Sequence, residues 1–274
     1  MLKVFAVIQA RMGSTRLPNE VMMTIKGTPL IEILLKRLSN SKKISKIILA
    51  TTNSSQDDKL AEYVDSLGFE VYRGSENDVL SRYYESVKNH KPDAILRVTG
   101  DCPLVDSTII DKIIEEYQKQ NVDYLSNTIK PSYPDGLDAS IFSFEALKTA
   151  YEEATSKYDR EYVVTYIRSC GKFKLSNIVN NIDYSKERWT VDEKSDFEVI
   201  RNIFNYFNPN IHFHWSEVIN LLDKHPEYFE ANRDINRDEG SQLGSGQKLW
   251  KRAKTLIPGG NMLFSKRPDL YLPN

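Results

Sequence analysis

The chain has 274 residues, 40% of them hydrophobic and 27% charged. That balance is the balance of a globular protein and excludes a disordered tail or a disulfide-stapled miniprotein; the length covers one to two domains. Basic and acidic side chains number 37 and 38, for a net charge of −1, so no global field draws the chain to nucleic acid or to an acidic membrane.

Cys102 and Cys170 lie far apart and imply no disulfide framework. No apolar run approaches the ~18 residues of a membrane span, and the opening Met1–Ile8 run has no basic region and no small-residue cleavage site. The expected location is the cytoplasm, with neither nucleic acid nor membrane as partner.

Val4–Ile8 is a continuous apolar run followed by a turn signal, the pattern of a buried parallel strand. Pro29–Leu38 has helical apolar spacing with proline at its start. Next come a strand over Lys46–Thr51, a helix over Ser55–Leu67 that stops at Gly68, and a short strand over Glu70–Tyr72. A helix over Val79–Lys88, a strand over Ala94–Thr99, an amphipathic helix over Ile109–Gln120 and a short strand over Val122–Ser126 complete this half. Such alternation predicts an α/β fold with right-handed crossovers, whose ligands bind at the carboxyl ends of the strands. The loops after Ile8, Thr51, Tyr72 and Thr99 are therefore the places to look for chemistry.

The second half is more mixed. Ile141–Ala154 begins as strand and continues as helix, and Glu161–Ser169 is predicted helical. Phe173–Ile178 and Arg188–Val191 are predicted strands, and Ser195–Phe207 a helix. His212–Trp215 alternates like a strand end, with Ser216 as the expected cap of a helix through Leu222. Residues 240–247 break the composition with glycine and serine, which marks a flexible linker after a domain over 1–239.

Three loops carry candidate chemistry. Gln9–Pro18 combines glycine, two hydroxyls, Arg11 and Arg16 just past a buried strand. Backbone N–H groups in such a turn form an anion-binding nest, and arginines add bidentate phosphate contacts. Neither G-x-x-x-x-G-K-[ST] nor G-x-G-x-x-G occurs, and a polar surface turn fits the composition equally well. In Arg97–Asp106 a strand ends in Gly100-Asp101. A carboxylate there can hold Mg²⁺ with phosphate oxygens completing the shell; an Asx turn or a helix cap is the structural alternative, and Asp106 suits capping better than Asp101 does. In Arg188–Glu193 a strand again ends in an aspartate, Asp192, with an arginine four residues earlier. Were Asp192 and Asp101 to meet, the pair could clamp one divalent ion; spacing alone does not bring them together.

These stretches, with Arg73–Leu80, Tyr133–Asp138 and Asp159–Val163, together resemble the cytidylyltransferase family that contains CMP-Kdo synthetase and the acylneuraminate cytidylyltransferases, on its SpsF-like branch. The resemblance spans about residues 3–232. It implies a Rossmann-like nucleotidyltransferase fold with a mostly parallel central sheet flanked by helices. It implies CTP as substrate, Mg²⁺ as cofactor, a sugar or phosphorylated acceptor as partner, and a homodimer. Carried over, Ala10, Arg11, Gly13, Ser14, Thr15 and Arg16 would hold the triphosphate. Arg73, Gly74 and Asp78 would lie near the cytidine, and Thr51, Asn53 and Asp101 would also belong to the nucleotide-binding set. Arg11, Arg16 and Asp101 would be catalytic, and Asp101 and Asp192 would bind the metal. Asp135, Asp138, Arg160, Glu161 and Arg188 would face the acceptor.

One departure stands out. The family usually has a lysine two residues after the Leu-Pro of its first motif; here Glu20 stands in that place. A carboxylate there repels a triphosphate by roughly several kcal/mol if both are desolvated, unless a cation such as Lys26 or Arg82 compensates. A nucleotide-binding module without turnover, serving a fused aminotransferase, is the alternative that Glu20 supports. A glycosyltransferase is disfavoured because no Asp-x-Asp follows the Ala94–Thr99 strand. His212 and His214 have the spacing of a metal pair, but structural zinc takes four ligands and a solvated strand face is favoured. Cys102 is expected to be a small packed residue. Finally, residues 248–274 resemble the start of a class III aminotransferase of the glutamate-1-semialdehyde type. The pyridoxal phosphate lysine of that family would lie downstream of Asn274, so this stretch would not transaminate.

Overall fold

Strand β1 (Val4–Gln9) shows why a sheet forms at the centre. Val4, Ala6 and Ile8 enter one apolar cluster while Phe5 and Val7 enter another, so the strand is buried on both faces, as parallel sheets require. The computed structural model describes residues 2–237. The linker expected at 240–247 and the aminotransferase-like stretch at 248–274 lie outside those residues.

After β1, the hairpin strands β2 (Thr24–Ile25) and β3 (Thr28–Pro29) lead into α1 (Leu30–Leu38), β4 (Ile44–Thr52), α2 (Asp58–Ser66), β5 (Glu70–Gly74) and α3 (Val79–Val87). Next come β6 (Ala94–Thr99), α4 (Ser107–Gln120), β7 (Tyr124–Ser126), β8 (Ser140–Ser143) and α5 (Phe144–Glu153). The short helices α6 (Lys157–Tyr162) and α7 (Thr165–Ser169) precede β9 (Leu175–Asn177), α8 (Lys194–Phe207) and α9 (Trp215–Lys224). Among the described residues the main sheet has seven strands in the order β5-β4-β1-β6-β8-β7-β9. Only β8 runs antiparallel to its neighbours. Apolar residues of α1, α2, α4, α8 and α9 cover one face, and those of α3, α5 and α7 cover the other. The fold is the expected one: α/β, with a mostly parallel sheet between helices. This compact unit closes at Arg233, and no described helix is long and apolar enough to cross a membrane.

Several boundaries differ from the sequence expectation, each for a local reason. Asp106 does cap α4, accepting from Thr108 N at 2.9 Å and Ile109 N at 3.4 Å. Arg188–Val191 is not a strand; it makes a single bridge, Asp135 to Arg188. The helix expected over Glu161–Ser169 is two helices, because Val163 takes φ 62° between them. His212–Trp215 is not a strand either. His214 is the N-cap of α9, in a reciprocal capping box with Glu217, which places Ser216 inside the helix.

Because β1, β4, β5 and β6 are parallel, the ends of all of them open on one edge of the sheet. Two glycines let backbones close on that edge. A Cβ at Gly100 would lie 2.6 Å from Ala10 Cβ, and one at Gly136, where φ is +99°, would lie 2.5 Å from the Trp189 carbonyl. Gly136→Ala therefore combines left-handed strain with a backbone clash, and is expected to destabilise by about 2–4 kcal/mol. Gly68→Ala, at φ +85° with nothing within 4 Å, is expected to lose only about 1–2 kcal/mol. Urea denaturation midpoints of the two variants measure the difference, and equal losses would remove the claim of close approach at Gly136.

Candidate active site

The loop after β1 is tied down by one buried carboxylate. Asp57 accepts from Met12 N at 2.6 Å and from the Thr52 hydroxyl, which fixes the loop against the end of β4. Gly13 and Ser14 are half-buried, while Thr15 and Arg16 are exposed, beyond the buried Ala10. Arg11 donates to Glu76 at 3.1 Å, and Arg16 pairs with Asp192. Both pairs are partly solvated, so both arginines can exchange partners.

The end of β6 meets the segment after Trp189. Val191 N donates to the Asp101 carbonyl at 2.8 Å, and the Thr190 hydroxyl to the same oxygen at 3.2 Å. Asp101 and Asp192 are thereby brought together. Burial, and then the charge of Asp101, raise the Asp192 carboxyl to about 6, against the pull of Arg16 and Arg188. Glu20 is a third carboxylate in the same field. Burial raises it from 4.5 to about 7, the charges of Asp101 and Asp192 push the same way, and a bond with Ser14 opposes them. Its Oε2 is buried without a hydrogen-bond partner. Among the described residues no group of three or more His, Cys, Asp or Glu is arranged to hold a metal. An oxygen-only pair that repels itself nevertheless fits Mg²⁺, which takes one or two carboxylates and completes its shell with phosphates and water.

Arg188 organises the acidic side from within. Its side chain is 4% exposed and donates to Asp196 at 2.8 and 2.9 Å, to Asp192 at 3.0 Å and to Asp135 at 3.1 Å. Burial opposes the guanidinium charge, but Asp196, Asp135 and Asp192 outweigh it and raise the pKa above its ordinary value. Arg188 and Asp135, expected to face an acceptor, are instead buried and bonded to each other. Three more residues sit differently from expectation. Asp78 caps α3 through Ser81 N at 2.9 Å and binds Arg160 at 2.9 and 2.7 Å, so neither offers an open charge to a ligand. Arg73 clamps the loop after β4, donating to the Thr52 and Ser54 carbonyls at 2.9 and 2.8 Å and pairing with Asp58 at 2.7 Å. Asn53 N donates to the Gly74 carbonyl at 2.9 Å, and Thr51 is fully buried with an unpartnered hydroxyl. Asp138 is half-buried and Glu161 exposed.

The cytidylyltransferase family pattern matches residues 5–232. The chain belongs to the cytidylyltransferase family. It is a CTP-dependent nucleotidyltransferase. A cytidylyltransferase structure from Leptospira borgpetersenii shares 34% identity with a TM-score of 0.80, covering 86% of this chain and 100% of that one. The spore coat polysaccharide biosynthesis protein SpsF of Bacillus subtilis is 30% identical over 83% of this chain and 97% of its own. A 3-deoxy-manno-octulosonate cytidylyltransferase of Hydrogenovibrio crunogenus is 27% identical over 67% and 69%.

Within this cytidylyltransferase, sequence reasoning passed over Asp57, Asp196 and Tyr162. Asp57 had a signal, lying in the first turn of the helix predicted from Ser55. Asp196 had one too, one residue inside the predicted helix start and at N3 of the observed capping box with Glu193. Tyr162 lies close enough to Arg16 to feel its charge. His212 and His214 have separate partners: His212 bonds Asn40 at 2.6 Å, and His214 lies 3.8 Å from Asp106. Cys102 is buried, its thiol raised by burial and by Asp101.

Glu20 gives the site a pH signature. A carboxyl raised on folding adds stability below about pH 4.5, and that contribution is lost as pH rises through about 7. The stability of the wild-type protein relative to Glu20→Gln is therefore expected to fall between pH 4.5 and 7. Calorimetric melting of both proteins across that range measures it, and a pH-independent difference would contradict the buried, repelled carboxyl.

Proposed function

We propose that this cytidylyltransferase transfers CMP from CTP to an acidic sugar or a phosphorylated sugar acceptor, with Mg²⁺, in the synthesis of a surface glycan. The meeting of Asp101 and Asp192 beneath Arg16 carries the proposal; the sugar-linked names of the relatives support the class of acceptor.

An acceptor oxygen attacks the α-phosphorus of CTP, the bond to the β-phosphate oxygen breaks, pyrophosphate leaves, and the acceptor oxygen gives up its proton where it carries one. Such transfers rest on positioning and charge neutralisation. Mg²⁺, when bound, lowers the negative charge that the attacking oxygen must approach. Arg11 and Arg16 would exchange Glu76 and Asp192 for phosphate oxygens, and Asp192, still bonded to Arg188 through its other oxygen, would then be able to hold the ion with Asp101. Gly13, Ser14 and Thr15 offer their backbone N–H groups to the same phosphates. The Asp101 backbone is held by bonds from Val191 N and the Thr190 hydroxyl to its carbonyl, so its carboxylate would be one of the two that hold the ion. Arg188 acts at one remove, fixing Asp192 and the 133–138 loop that forms the acceptor side with Asp138 and Glu161.

A second possibility has one observation behind it. Glu20 faces the two aspartates rather than solvent, and a site burdened with a third carboxylate could bind nucleotide without turning it over. Pyrophosphate release with CTP, Mg²⁺ and a panel of sugar acids and sugar phosphates separates the two. Turnover with at least one acceptor is expected, and Asp101→Asn is expected to lower kcat/KM by about 100-fold or more. CTP binding without pyrophosphate release from any acceptor would favour the binding module. Glu20→Lys is expected to raise turnover; an unchanged rate would place the needed charge elsewhere in the site.

A further inference from the structure

We propose that Arg82 is a phosphate-binding residue of the nucleotide site, supplying the positive charge that Glu20 does not. This rests on the cytidylyltransferase reading, because it takes the triphosphate as the ligand.

Arg82 lies on α3, whose N-terminus follows β5 at the edge where the strand ends open. Side chains on a helix lean toward its N-terminus, and the Arg82 stem passes Gly74, where an added Cβ would lie 3.1 Å from Cγ. The residue is 3% exposed, yet Nε and Nη1 are buried with no hydrogen-bond partner. Asp57 and Glu76 are the acidic groups close enough to feel it, and Arg11 the nearby cation. Neither carboxylate hydrogen-bonds to it. Asp57 accepts from Met12 N and the Thr52 hydroxyl, and Glu76 is half-exposed and pairs with Arg11.

A buried guanidinium without a counter-ion is strongly unfavourable, since native proteins pair buried charges. Here a second arginine, Arg11, adds to the same positive field. A base carbonyl would satisfy one N–H and leave both charges standing, whereas a polyphosphate answers both. Lys26, the other cation weighed against Glu20, is exposed on the β2–β3 turn and has no such need.

Titration calorimetry of the full chain with CTP, inorganic tripolyphosphate and cytidine tests this in the wild type, Arg82→Gln and Arg82→Lys. Arg82→Gln is expected to weaken CTP and tripolyphosphate about 10–100-fold, to leave cytidine unchanged, and to raise the melting temperature of the ligand-free protein by removing an unpaired buried charge. Arg82→Lys, which keeps the charge, is expected to retain part of the affinity and stays informative if the glutamine variant does not fold. A fall in melting temperature with unchanged tripolyphosphate affinity would overturn the proposal by making Arg82 structural. Equal losses for cytidine and CTP would overturn it by placing the contact at the base. A wild-type chain that binds tripolyphosphate but gains nothing from the cytidine of CTP would remove the cytidylyl reading and leave Arg82 as an anion contact. One that binds neither would overturn both.

Discussion

The Arg188 guanidinium is the constraint on which the acidic half of the site depends. Three carboxylates converge on it, Asp196 and Asp135 out of water and Asp192 at the solvated edge. Removing one member of such a cluster leaves an uncompensated buried charge, which is why the cluster fixes geometry more strongly than exposed pairs do. Asp135 arrives from a distant loop, whereas Asp192 and Asp196 come from one turn and the helix start after it. Asp196 also accepts from the N–H groups of Asp192 and Glu193 at 3.0 and 2.9 Å, so the start of α8 and the acid-bearing turn are one unit. Asn232 donates to the Arg188 carbonyl and to Asp196, binding the end of the compact unit to the same point. Asp135 carries the constraint to the 133–138 loop, and the Val191–Asp101 bond carries it to the central sheet.

That rigidity sets the electrostatics of the pair beside it. Asp192 cannot turn away from Asp101, so burial and repulsion together hold its carboxyl near 6. Glu20 meets the same field and is raised further, to about 7. Near neutral pH Glu20 is therefore protonated in a large fraction of molecules. A neutral carboxyl does not repel a triphosphate, so the residue that looks hostile to the nucleotide in the sequence is less so in its folded setting.

Much of this was legible from residue patterns. The apolar run at Val4–Ile8 and the alternation after it place the loops at Gln9, Thr51 and Gly100 on one edge, and Asp106 announces a cap. The region around Arg188 was harder. Trp189 and Val191 are fully buried and Arg188 and Thr190 nearly so, which reads as a central strand, yet Trp189 N donates to the Asp135 carbonyl and Val191 N to the Asp101 carbonyl instead of to a continuous ladder. Nothing in a valine signals a positive φ, so the break at Val163 is invisible until the chain is folded. The arginines mislead in another way. Arg160 and Arg188 stand in motifs that suggest ligands, but their partners Asp78 and Asp135 lie 82 and 53 residues away, beyond any local rule.

Arginine burial also separates structural charge from functional charge here. Arg37 and Arg188 are as buried as Arg82. Arg37 spends its nitrogens on the Val105 and Leu104 carbonyls at 3.0 and 3.2 Å, and Arg188 on three carboxylates. Both close their own account within the fold. Arg82 does not, and it sits beside Arg11 on the basic side of a site whose other side carries Asp101, Asp192 and Glu20. Each side alone holds like charges in poor solvent. A polyphosphate laid against the arginines would neutralise the first side, and a divalent ion, were Asp101 and Asp192 to hold one, would neutralise the second, so the two unfavourable halves would favour the same pair of ligands.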